Sequence, residues 1–283
     1  MKRKEKEGHT LLELLIALAL ASFLSSILLS IFLQCKKMYF ITQYSDTVQT
    51  TARIAFNSLS HDIRMAGLIG CVRLVDFSPL NSKLTLDTSL VIWHEGHTNV
   101  EFLLPFLPRA IAHSDIILIQ SLDPNTIPVK QAKGKHIFLV GRSLFHPSDK
   151  LLISDCQHAE AFQWGHINLK YIYQNDSEVG FLDKIIYYIG DTGRQTRKGL
   201  PIYALYRRNL NKALNNPVEL VEGIEKMSIR LGVKEGAHLI YRMPDQVKNG
   251  ANVRSLEIIL ELPHKKPLRH EWKHIIALRE RGI

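Results

Sequence analysis

The sequence predicts an α+β protein: a long N-terminal α-helix packed on a mainly antiparallel β-sheet head. Three observations carry this. An apolar run extends from His9 to Leu33 with one carboxylate, Glu13, inside it. The next stretch turns amphipathic with a helical period up to Ala66, and neither Pro nor Gly interrupts the chain from His9 to Ala66. Beyond Gly70 that period disappears and short β-rich runs separated by turn residues take over.

The predicted helix covers residues 9–66. At about 1.5 Å per residue, the run 9–33 is long enough to cross a bilayer. A carboxylate inside such a run costs at least about 2.5 kcal/mol on insertion scales, so its presence marks function. Ile41, Tyr44, Val48, Ala52, Ala55, Leu59, Ile63 and Ala66 then recur every three or four residues and form one apolar stripe. Gly67 is the expected stop. Residues 67–283 are expected to form the β-rich head. Its strands are placed at Leu90–Trp93, Asp115–Gln120, His136–Val140, Leu151–Ser154, Ile167–Tyr173, Lys184–Ile189, Ile202–Arg207, Lys226–Leu231 and Arg254–Leu262. Turns are expected at Asp123-Pro124-Asn125, Lys133-Gly134-Lys135, Gly190-Asp191-Thr192-Gly193 and Asn215-Asn216-Pro217, with an exposed polar loop from Asp191 to Leu200. Strands without intervening helices argue for antiparallel pairing, with the long helix covering one face.

The first eight residues, Met-Lys-Arg-Lys-Glu-Lys-Glu-Gly, hold four basic and two acidic side chains, a flank retained in the cytoplasm. A secretory signal peptide has its small-residue cleavage site after the apolar run, and no such site follows Leu33. The small residue, Gly8, comes before it. Gly8-His9-Thr10-Leu11-Leu12-Glu13-Leu14 resembles the leader junction of prepilins, which a membrane peptidase cuts after Gly before methylating the new N-terminus. That resemblance implies a leader peptide at 1–8, cleavage between Gly8 and His9, N-methylation at His9, and a transmembrane segment at about 9–33. The usual first residue is Phe, so His9 departs from the pattern. In the family the glutamate pairs with the N-terminal amine of a neighbouring subunit, which implies an assembly role for Glu13; a buried charge is tolerable when paired.

The resemblance continues into the head. Ser60-His61-Asp62-Ile63-Arg64-Met65-Ala66-Gly67-Leu68-Ile69-Gly70-Cys71 is similar to the helix end of PilW-type minor pilins of type IV pili. Lys150–Cys156, Ile186-Tyr187-Tyr188-Ile189, Leu205-Tyr206-Arg207-Arg208, Glu219–Met227 and Ala277-Leu278-Arg279 follow in the family's order. Residues 76–148 match least. Minor pseudopilin J of type II secretion shares much of this layout. The resemblance implies a structural subunit, a minor pilin of the type IV pilus or its initiating complex, with no enzyme activity, cofactor or small-molecule substrate. Its implied partners are other minor pilins, the major pilin and the prepilin peptidase. Its implied route runs from the inner membrane of a Gram-negative bacterium, single-pass with the head in the periplasm, to the pilus and cell surface. Cys71 and Cys156 fall where the family often has cysteine and form the disulfide candidate; Cys35 is expected to be unpaired.

Other functions are weighed on residues. His270-Glu271-Trp272-Lys273-His274 spells H-E-x-x-H, which on a helix would make a membrane-anchored zinc metalloprotease. Alternation of Leu268, His270, Trp272, His274, Ile276 and Leu278 argues for an edge strand instead, with both His on one side and Glu271 on the other, so no metal site is expected. His94-Glu95-Gly96-His97 and the oxygen-rich Gln174–Glu178 are read as a loop and a polar turn. No G-x-S-x-G and no Walker-type Gly-Lys-Ser/Thr occurs. The net charge of +9 falls to near +7 beyond the leader. With Arg194, Arg197, Lys198, Arg207, Arg208, Lys265 and Lys266, it raises weak DNA capture as a further expectation.

Overall fold

The computed structural model describes residues 11–70, 72–73, 76–77, 88–94, 107–143, 145–210, 217–247, 252–262 and 270–278. It is an α+β fold in which one long helix, α1 (Leu11–Met65), precedes a mostly antiparallel β head. Two compact units divide the chain, Met1–Thr50 and Thr51–Ile283.

In the first unit, α1 is apolar on all sides, and large side chains such as Leu11, Leu12, Phe23, Leu28 and Phe32 are more than 60% exposed. Ile41 and Tyr44, expected to open the buried stripe, are also exposed. The first residue of the stripe to be buried is Val48.

In the second unit, Ala52, Ala55, Phe56, Leu59 and Ile63 are buried on the inner face of α1, as the helical period requires. The helix ends at Met65. Gly67 takes a positive φ of 72°, and its N–H leaves the helix to donate to Gln120 O at 2.8 Å.

The strands are β1 (Leu68–Ile69), β2 (Val72–Arg73), β3 (Asp76–Phe77), β4 (Thr88–Trp93), β5 (Ile116–Leu122), β6 (Ile127–Lys133), β7 (His136–Leu139), β8 (Lys150–Ser154) and β9 (Ala159–Gln163). They continue with β10 (Ile172–Tyr173), β11 (Ser177–Gln195), β12 (Pro201–Asn209), β13 (Val218–Glu222), β14 (Lys226–Glu235), β15 (His238–Arg242), β16 (Val253–Leu262) and β17 (His270–Ala277). Among the described residues, 11 strands share one sheet, β15-β14-β16-β17 form a second, and β1 and β2 pair in a third. The 19-residue β11 is the hub of the first. Its start pairs β6 and β8, its middle pairs β5, and its second half pairs β12. The pairing β3–β4 is parallel. The two larger sheets are tied by Asp115, which is fully buried. Its N–H donates to Met227 O at 2.9 Å, and its Oδ2 accepts from Ile229 N at 2.6 Å.

Three expectations are corrected. The predicted strand Ile167–Tyr173 is strand only at β10. The Glu160 carboxylate takes the Lys170 and Tyr171 N–H groups, so they make no ladder. The Gly190–Gly193 turn is strand, because Gly190 serves packing: a Cβ there would sit 3.0 Å from the Tyr206 ring. The expected loop from Asp191 therefore begins only after Gln195, and the reversal is closed by Thr196 N donating to Leu200 O at 2.8 Å. The Asn215-Asn216-Pro217 turn lies outside the described residues, apart from Pro217.

Three tyrosines in β10 and β11 are fully buried. Burial pushes each phenol above its ordinary value of about 10, and nearby charge adds to it: Glu160 at Tyr173, Asp62 at Tyr187 and Tyr206 at Tyr188. Above that ordinary value the unfolded chain has lost protons that the folded chain keeps. The unfolded state then binds fewer protons, and stability falls as pH rises. The urea midpoint of the detergent-solubilised protein should therefore drop between pH 9 and pH 11, about the range in which free phenols titrate. Tyr188 Oη finds no hydrogen-bond partner among the described residues. Tyr188→Phe should thus be neutral or stabilising by about 1 kcal/mol at neutral pH and should reduce the alkaline drop. A wild-type midpoint flat across that range would contradict the assignment.

Candidate functional site: an uncovered apolar helix and a polar latch

The first unit offers a lipid-compatible surface. None of the apolar portion of α1 is buried by the chain's own atoms. A core helix of a soluble domain would be covered, so this surface needs lipid or other subunits around it. Two of its hydroxyls turn inward on the helix. Ser22 Oγ donates to Ala19 O at 2.9 Å, and Ser30 Oγ donates to Ile27 O at 2.8 Å. Such bonds to the preceding turn satisfy hydroxyls where no water is present. Glu13 lies in the first described turn, on this uncovered surface.

The second unit fastens the end of α1 to the head through a carboxylate. Asp62 Oδ2 accepts from the Tyr187 hydroxyl at 2.6 Å and from Arg207 Nε at 2.8 Å. Ser58 Oγ lies 3.0 Å from the same hydroxyl, one turn earlier. Asp62 and Ser58 come from α1, Tyr187 from β11 and Arg207 from β12, so three elements meet at one buried oxygen. Charge-assisted bonds of this kind are roughly twice as strong as neutral ones.

The remaining sequence-predicted groups are placed as follows. His270–His274 lie on β17, paired along β16 from Leu262↔His270 to Ile258↔His274. Glu271 and Lys273 are exposed and 3.5 Å apart, whereas the His274 ring packs 5.1 Å from the Phe56 ring of α1. The strand thus sends Glu271 and His274 to opposite sides, where a zinc-protease helix would need them on one. His94 Nδ1 is 2.8 Å from the buried Asp115 Oδ1; His97 lies outside the described residues. Gln174–Asp176 is a polar turn, closed by Ser177 N donating to Gln174 O at 2.9 Å.

Among the described residues, two of the sequence-predicted basic side chains are held in ion pairs. Arg194 is paired with Glu219 and Glu222, and Arg207 with Asp62. Arg197 and Lys198 are exposed at the β11–β12 turn, and Lys265 and Lys266 lie outside the described residues. Asp123, Asp155, Asp176 and Glu178 line a cleft of about 210 Å³ beside Gly70. Asp123 and Asp155 turn oxygens to backbone N–H groups, and no three metal-ligating side chains converge among the described residues.

Cys156 is disulfide-bonded and Cys35 is free and exposed. Cys71 lies outside the described residues, but Gly70 beside it is packed against β8 and β11. With φ at 57°, a Cβ there would sit 2.7 Å from both Ser154 Oγ and Glu178 Oε1. Gly8 and His9 also lie outside the described residues.

Residues 3–29 match the sequence family described as the prokaryotic N-terminal methylation motif. The chain carries a prepilin-type N-terminal motif, which supports a type IV pilin- or pseudopilin-like subunit. No curated protein and no solved structure matches the chain significantly. The matched stretch runs from the basic N-terminal residues through Glu13 to Leu29, so the motif overlaps the uncovered part of α1. The pilin-type family marked by this motif is structural rather than catalytic, and the long apolar helix fits a membrane-anchored chain.

What the sequence did not show in this pilin-like chain is the latch. Asp62 reads as one more polar residue on an amphipathic helix, and its partners are 125 and 145 residues away. Asp62→Asn should lower head stability by about 1.5–3 kcal/mol, the worth of hydrogen bonds to a charged group. Arg194→Ala, which breaks an exposed pair, should cost less. Denaturant midpoints of the two variants check the order; equal losses would deny the latch its role.

Proposed function

We propose that the chain is a minor pilin, a structural subunit of the type IV pilus or of its initiating complex. The observation that carries this is the coincidence of the N-terminal methylation motif with a helix that its own chain leaves uncovered. In this reading the prepilin peptidase cuts between Gly8 and His9, because a subsite that takes glycine has no room for a side chain. His9 becomes the methylated N-terminus. The subunit waits in the inner membrane, single-pass, with its head in the periplasm, and then enters the pilus. Glu13 pairs with the N-terminal amine of a neighbour, so a carboxylate in an apolar helix is neutralised by assembly. Retention of Glu13 supports an internal place, with other minor pilins or the major pilin on both sides. The resemblance of the head to PilW-type proteins puts the pilus first, and pseudopilin J of type II secretion, which shares much of this layout, is the alternative.

Gly8→Arg should leave a full-length, membrane-retained precursor, and wild-type N-terminal sequencing that begins at Met1 would refute cleavage. Glu13→Ala should still insert and be cleaved, yet co-purify poorly with partner minor subunits and reduce surface piliation. Normal piliation with lost secretion of a type II substrate would assign the chain to the other machine.

The proposed partner of Cys156 is Cys71. The bonded state of Cys156, the free Cys35 and the approach of Gly70 to Ser154 support it. Closing a loop of about 86 residues stabilises by roughly 4–5 kcal/mol on the chain-entropy estimate. Cys71→Ser should therefore free the Cys156 thiol to titration and lower the melting temperature. A Cys156 that stays blocked in that variant would point to another partner.

A further inference from the structure

We propose that the segment from Lys36 to Tyr44 is a membrane-interface collar that binds the anionic headgroup layer on the outer side of the bilayer. This rests on the reading that the apolar part of α1 sits in a membrane before assembly. Lys36 and Lys37 follow the apolar run after Gln34 and Cys35, and Met38, Tyr39, Phe40, Ile41 and Tyr44 come next with 40–64% of their surface exposed. At about 100° per residue these side chains fall on all sides of the helix. A segment packed against a protein surface shows one apolar stripe; here apolar, aromatic and basic groups encircle the axis. An environment that surrounds the helix and offers apolar carbon next to negative charge is a lipid interface, where Tyr is enriched and Lys snorkels to phosphate.

The spacing agrees. Leu14–Leu33 contains no ionisable side chain and spans about 30 Å, the hydrocarbon thickness of a typical bilayer. With Lys36 at the outer boundary, Glu13 falls level with the inner one. The carboxylate is then hydrated while the subunit waits, and it loses its water only when the helix leaves the bilayer. This moderates the cost that the sequence alone assigned to Glu13. Two lysines against an anionic leaflet also contribute attraction that a zwitterionic surface lacks.

Cys35 supplies the probe, because it is free and exposed at the foot of the collar. The full chain is labelled there with a nitroxide and reconstituted into vesicles of phosphatidylethanolamine and phosphatidylglycerol. Depth is read by collisional relaxation with oxygen and a nickel chelate. The label should lie within about 5–8 Å of the hydrocarbon boundary, the thickness of the interfacial layer. Replacing both lysines by glutamine, or transferring the wild type to phosphatidylcholine, should shift it by about 3 Å or more, two helical rises. Tyr39→Ala with Phe40→Ala should shift it as well. A label at mid-bilayer or in bulk water, or a depth indifferent to all these changes, overturns the collar while the anchor stands. A chain that does not float with the vesicles refutes the anchor and the collar together.

Discussion

One buried carboxylate oxygen, Asp62 Oδ2, holds the end of the long helix to the sheet. It is shared by a phenol from β11 and a guanidinium from β12 at 2.6 and 2.8 Å. The Asp62 side chain is 11% exposed and that of Arg207 is 34%. The pair is therefore dry enough to act at close range and still open enough for Arg207 to keep some hydration. Because Tyr187 lies in the stretch of β11 that pairs with both β5 and β12, the latch reaches the strand on which the larger sheet is built. The apolar stripe from Ala52 to Ile63 supplies area, which is non-directional; the shared oxygen supplies rotation and register.

The two units solve opposite solvent problems with the same backbone. The first exposes leucine and phenylalanine on every side and folds its hydroxyls back on its own carbonyls, so its surface suits hydrocarbon. The second buries its apolar side chains in clusters such as Val91, Trp93, Leu118, Ile186 and Tyr188 and carries ion pairs such as Arg194–Glu219 and Arg242–Glu235 at its surface. A chain anchored by its N-terminal helix needs both kinds of surface.

Much of this fold was legible in the sequence, and the failures have physical reasons. The helix was readable because no Pro or Gly interrupts it and its period is unbroken. Strands with strong β-branched content, such as Ile116–Leu122 and Val253–Leu262, were readable for the same kind of reason. Ala159–Gln163 was missed because Ala, Glu and Gln favour helices; its pairing with β8 overrides propensity. Ile127–Lys133 was missed because Pro128 and three polar residues mask its alternation. The H-E-x-x-H string was resolved correctly by its period of two, which a zinc-binding helix lacks. The N-terminal motif and the apolar run were legible because their signal is local. Arg207 was grouped with other basic residues because sequence shows charge but not the carboxylate it meets.

The latch also sets an order of events for the growing chain. Its bonds join residues 125 and 145 positions apart, and Ser114 and Asp115 meet Met227 and Ile229 across 113 and 114 positions. Contacts at such separations form late, after the entropy of closing long loops has been overcome. The apolar part of α1 emerges first and needs none of them. Nascent chains therefore hold a formed helix well before residue 207 exists to clasp its end. Until then the stripe from Ala52 to Ile63 is bare, and the unfinished head is a client for whatever shields apolar surface on its side of the membrane.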